Sequence, residues 1–213
     1  MAAHRVFLLS PAYCRGRRAA ILLRPGSEVP LARKLQGGTL TLGEAFSFLS
    51  GLYFRGKLTY ADEFGRAPDG GASTLVITPT RGLMTPDAIL DPALLHEFAA
   101  ADVSAGNARY YVPLERDATA LAARVGRRTS IVLLGSIATG KYVDVLAPLF
   151  GKRLLYPSAF VGRGDMSRGG LLLRHARTRQ ELVYGPLERG VRPRGPRPPK
   201  LDPKDRAPWT PSS

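Results

Sequence analysis

One cysteine and three histidines are all that this chain of 213 residues offers as soft metal or disulfide chemistry. Cys14 alone cannot close an internal disulfide, and with His4, His96 and His175 scattered there is no ligand spacing for structural zinc. Disulfide scaffolds and zinc modules are excluded, and no metal or cofactor motif stands out. Long hydrophobic runs are missing too. A membrane-spanning helix needs ~20 consecutive apolar residues, whereas Val6-Phe7-Leu8-Leu9 ends at Ser10-Pro11. That argues against a membrane partner and against a signal peptide, so a soluble, cytoplasmic protein with one compact domain is expected.

Acidic residues are scarce as well: 17 Asp and Glu face 31 Lys and Arg, a formal net charge of +14. Such an excess steers a chain toward phosphate backbones and makes binding fall with salt. The basic residues cluster at 15–24, 124–128, 163–179 and in the tail. An Arg-for-Lys mutational bias is the competing explanation, and clustering favours a functional basic surface. An organelle transit segment is the other reading of the Arg-rich start, but the strand-like run there belongs to a fold.

From Pro186 onward Pro193, Pro196, Pro198, Pro199, Pro203, Pro208 and Pro211 alternate with charged residues, so 186–213 reads as a disordered or extended Pro/Arg-rich C-terminal tail. Residues 1–185 read as a single α/β domain, a mostly parallel central sheet flanked by helices, because strand-length apolar runs alternate with helix-period segments. No internal repeat is visible. The expected strands are 5–9, 74–78, 108–112, 130–134 and 153–156. Thr41 with Glu44 forms a capping box for a helix through Phe46, Leu49 and Tyr53, with a break near Gly56 before 58–64. Asp91-Pro92 opens another helix, Asp117 is expected to cap a third over 118–125, and 141–150 forms a fourth that closes at Gly151.

In an open parallel sheet ligands bind at the carboxyl ends of the strands. Four such loops carry unusual residues: Ser10 to Arg18, Pro79 to Asp87, Gly135 to Tyr142 and Gly162 to Gly170. Gly135-x-x-x-x-Gly140-Lys141 has the outline of a phosphate-binding P-loop. It fails one position later, where Tyr142 replaces the Ser or Thr that would hold magnesium, and no second metal-binding strand end follows. Its amides, from Ser136 through Thr139 to Gly140, still make an anion site beside Lys141. Arg163, Asp165, Ser167 and Arg168 form the densest polar group, read as a Gly-rich turn with two arginines able to clamp a phosphodiester. With them as nucleic-acid-binding candidates stand Ser10, Tyr13 as a base-stacking aromatic, Arg15, Arg81 and Tyr142. Cys14 has no His placed to activate it, and His96 reads as a helix residue without a catalytic partner.

The order of these loops resembles the YaaA family of bacterial peroxide-stress proteins. Leu8-Leu9-Ser10-Pro11-Ala12 is similar to that family's Ser-Pro-Ala strand end, with Tyr13 where its Lys is expected. Ile77 to Asp87 is similar to its Gly-Leu turn, Gly135 to Tyr142 to its Ala-Ser-x-x-Tyr element, and Arg163 to Arg168 to its Arg-Gly-x-Met-Ala-Arg. Residues 6–174 are spanned. The resemblance implies a cytoplasmic α/β protein that binds DNA and is related to base-processing enzymes. Three functions are carried forward. The first is a nucleic-acid-binding protein, DNA favoured over RNA, with N-glycosidic cleavage or transfer on a base if it is an enzyme; Asp165 or Asp87 would supply the carboxylate for the oxocarbenium-like transition state. The second is an enzyme acting on a free nucleotide or phosphosugar through the Gly135–Lys141 loop. The third is a non-catalytic nucleic-acid-binding or assembly protein.

Overall fold

The computed structural model describes residues 4–137, 139–188, 190, 193, 195, 196, 198 and 199. Six strands, β1 (Arg5–Leu9), β2 (Thr74–Ile77), β3 (Leu83–Met84), β4 (Ser130–Leu134), β5 (Leu154–Pro157) and β6 (Tyr184–Pro186), form one sheet in the order β3-β2-β1-β4-β5-β6. The four middle strands are parallel, and β3 and β6 are short antiparallel edges.

Around the sheet lie α1 (Arg17–Leu23), α2 (Pro30–Gln36), α3 (Leu42–Ser50), α4 (Leu52–Phe64), α5 (Pro92–Ala100), α6 (Ala108–Arg124), α7 (Gly140–Phe150) and α8 (Asp165–Thr178). A strand covered on both faces must be apolar at every position rather than at alternate ones. β1 shows this: Phe7 and Leu9 join a core with α1 to α5 and α8, while Val6 and Leu8 join a second core with α6 and α7. Val132 and Leu134 of β4 divide from Ile131 and Leu133 in the same way.

The chain builds outward from β1 through β2 to β3, then returns to lay β4 on the other side of β1. Loops leaving β1 and β4 therefore part in opposite directions, and such a switch point is where doubly wound sheets open a ligand crevice. Leu9 pairs with Leu134 in register, so Ser10 and Gly135 emerge side by side. A Cβ at Gly135 would lie 2.9 Å from the Ser10 Cβ, which explains the glycine.

Several expectations need correction. Residues 108–112, read as a strand for their Tyr and Val content, are the first turns of α6, started by the Asn107 side chain accepting from the Arg109 amide. Asp117 lies inside that helix and does not cap it; its carboxylate accepts the Leu83 amide at 2.9 Å and pairs with Arg116. The break after α3 falls at Gly51, whose φ of 59° few other residues adopt, and Gly56 sits within α4. The 162–170 stretch is not one flexible turn, because α8 begins at Asp165. The domain also runs past residue 185: Gly185 and Pro186 pair with β5, and Leu187 is buried with its amide donating to Leu154 O. Most of the expected tail lies outside the described residues.

Candidate functional site

α4 and α8 cross at two glycines. A Cβ on Gly169 would lie 2.7 Å from Leu52 O and 2.8 Å from Tyr53 Cα, and one on Gly56 would lie 2.6 Å from Gly169 O. Only hydrogen at both positions permits this approach, which brings the side chains next to each glycine under the ends of β1 and β4.

From α4 comes Lys57, 1% exposed, its ammonium donating to Ser10 O at 2.6 Å and to Ser10 Oγ at 2.9 Å. The Tyr53 ring lies 4.5 Å from Nζ and the Phe54 ring 4.8 Å, which soften the loss of water around the charge. Among the described residues no carboxylate hydrogen-bonds the ammonium. Burial accordingly pushes Lys57 down to about 7, with the Asp165 charge opposing and the Lys141 charge assisting.

From α7 comes Tyr142, buried beside Ser10, with burial raising its hydroxyl above the ordinary tyrosine value. From α8 comes Arg168, 9% exposed, donating to Phe160 O at 3.1 and 3.3 Å and lying 5.2 Å over the Phe160 ring. It holds Asp165 at 3.7 Å. Tyr53 completes the group. Its hydroxyl is pushed up to about 12 by burial, with the neighbouring Arg168 charge pulling the other way. That hydroxyl lies beside the Arg168 guanidinium without a hydrogen bond of normal geometry to any of the described residues. Buried donors are seldom left without a partner, and the oxygen of a water or of a ligand would satisfy this one.

Among the residues expected from sequence, Ser10, Tyr142, Asp165 and Arg168 meet here, with Lys141 close enough for its charge to act on Lys57. Ser136, half-buried, and exposed Thr139, which precedes Gly140 at the start of α7, lie on the loop beside Ser10. Arg163 stands at the rim, donating to Ala159 O at 3.1 Å and Ser167 Oγ at 3.2 Å. It also reaches Pro199 O at 3.4 Å.

Others lie elsewhere. Arg15 donates to the carbonyls of Ala99, Ala100 and Ala101 and so fastens the end of α5. Arg81 is held by Glu97 through two bonds, 2.9 and 2.5 Å. Asp87 is exposed on the segment whose carbonyls at Pro86 and Ala88 receive the first amides of α3. Tyr13 is 72% exposed. Cys14 is buried, its thiol pushed up to about 12 by burial, so it is inert as a nucleophile.

Sequence reasoning missed Lys57 and placed Tyr53 only on the apolar face of its helix. The signal was present: Tyr53, Phe54, Lys57, Tyr60 and Ala61 fall at helical spacing on one face, and a lysine on an otherwise apolar stripe must be buried. Gly56 and Gly169 were the second signal, since glycine inside a helix needs a packing reason.

The fold and this cluster define a doubly wound α/β domain with its polar site at the switch point. Comparisons with protein-family models, with curated proteins and with solved structures find no match for this chain. Among the described residues no group of three or more His, Cys, Asp or Glu is placed to hold a metal, and no helix is long and apolar enough to cross a membrane.

Proposed function

We propose that this is a cytoplasmic nucleic-acid-binding protein, with DNA as the favoured partner, which seats one nucleotide unit at the carboxyl ends of β1 and β4. The observation that carries the reading is the convergence of Ser10, Tyr53, Lys57, Tyr142 and Arg168 at the switch point, with one buried hydroxyl left for a ligand. Lys141 and Arg163 at its rim, and the net charge of +14, supply the attraction for a phosphate backbone. The resemblance to the YaaA family agrees with it. Base-processing chemistry would rest on Asp165, whose side chain is 70% exposed beside Arg168, since Asp87 lies at the start of α3.

A DNA titration at several salt concentrations tests the reading. The full chain, a chain ending at Glu188 and an Arg163→Ala/Lys141→Ala variant are compared. Ending at Glu188 keeps β6 and Leu187, which belong to the fold. Binding retained by the shortened chain and weakened in the double variant supports the site. Binding lost on shortening alone moves it to the tail and favours an assembly role. Tight binding of a free nucleotide without DNA favours the small-molecule reading.

A further inference from the structure

We propose that Ser10 and Lys57 form a nucleophile and base pair, and that the group it attacks is the phosphorus of a nucleic-acid phosphodiester. The substrate half rests on the nucleic-acid reading, whereas the nucleophile half does not.

A lysine that only capped the end of β1 would need the Ser10 carbonyl and nothing more. Lys57 also holds the Ser10 hydroxyl at 2.9 Å, and the buried Tyr142 hydroxyl of α7 lies beside it. Enclosing an ammonium with no carboxylate hydrogen-bonded to it among the described residues is costly, and strongly shifted groups cluster at functional sites. The groups facing the pair are Tyr53 from its own helix, Lys141 and Tyr142 from α7, and Asp165 and Arg168 from α8. Their balance is cationic. Lysine without its proton is the base that a serine nucleophile requires, and Ser-Lys arrangements recur on unrelated folds.

The surroundings select phosphorus. Charge on phosphoryl oxygens is stabilised by fixed cations and amides; Lys141 acts by its charge on Lys57 from the first turn of α7, Arg168 lies beside the Tyr53 hydroxyl, and Gly135 leaves the sheet next to Ser10. In the step, the Ser10 Oγ–P bond forms and one P–O bond to a sugar breaks. The hydroxyl proton passes to Lys57 Nζ and then to the departing sugar oxygen. A phosphoserine-linked strand and a strand with a free hydroxyl result. Attack on that phosphorus by water or by a sugar hydroxyl restores Ser10, with the attacking group's proton passing through Lys57.

A fluorophosphonate offers phosphorus to the full chain without DNA. The expected result is one adduct, mapped by mass spectrometry to Ser10 and absent in Ser10→Ala. Its rate should rise from about pH 6 to about pH 8 and fall about 100-fold in Lys57→Met. The pH profile of the unaltered chain keeps the test valid even if Lys57→Met does not fold. No adduct at Ser10, or a rate flat across that range, overturns the pair. An end-labelled oligonucleotide should then appear linked to the unaltered chain on a denaturing gel and not to Ser10→Ala. DNA bound but never linked overturns the phosphodiester as substrate; DNA not bound, with Ser10 still labelled, overturns it through failure of the nucleic-acid reading alone.

Discussion

Two regions of this molecule pair basic side chains with partners, and they do so in opposite ways. Beside β3, Arg81 lies on Glu97 at 2.5 Å with its own side chain 58% exposed, so the pair is screened by water and each charge has its counterpart. At the ends of β1 and β4, among the described residues, Lys57 is enclosed with only a serine to bond and a tyrosine hydroxyl makes no hydrogen bond of normal geometry. An exposed pair of the first kind is a latch worth little energy. A buried, unevenly satisfied group of the second kind lowers stability and persists where something else is to be bound.

The largest effect that would break the contrast is at the helix crossing. Gly169→Val should destabilise the fold by about 3 kcal/mol, because the added carbon meets backbone at Leu52 and Tyr53 and not a movable side chain. Thermal unfolding reads this as a fall of roughly 6–12 °C, and an unchanged transition would mean that the helices can separate at no cost.

Next comes the pH dependence of stability. Folded Lys57 sheds its proton near 7, while the unfolded lysine keeps it until its ordinary value of 10.5. Between those values the unfolded chain holds more protons, so stability rises with pH. Urea unfolding at pH 7 and at about pH 8.5 should show a gain of about 2 kcal/mol, and Lys57→Met should remove it. The window closes near pH 10, where tyrosines such as Tyr53, held up in the folded chain, favour unfolding.

Smaller again is the loss at the rim: Arg163→Ala with Lys141→Ala should weaken DNA binding roughly tenfold and lower the salt slope by about one for each lost phosphate contact. Smallest is Arg81→Ala, expected to change stability by less than about 1 kcal/mol and DNA affinity not at all. A larger effect on DNA affinity at Arg81 than at Arg163 would reverse the comparison.

Sequence patterns revealed the frame more fully than the site. The four parallel strands were legible because burial on both faces leaves continuous runs such as Val6-Phe7-Leu8-Leu9. The edges β3 and β6 were not, being two and three residues long with ordinary composition. Tyr110, Tyr111 and Val112 favour strand by propensity, and the α6 core contacts of Tyr110 and Leu114 override it. At the site, Ser10, Tyr142, Asp165 and Arg168 followed from reading strand ends. Tyr53 and Lys57 did not, because they reach the site through a helix crossing set by Gly56 and Gly169, a long-range fact that local spacing does not carry.

Photo-crosslinking of the full chain to DNA carrying 5-iododeoxyuridine, with the linked peptides mapped by mass spectrometry, tests the central claim most directly. Crosslinks on the loop 135–142 and on the turn at Arg163 are predicted. Crosslinks confined to residues 189–213, or to the surface around Arg81, would contradict it.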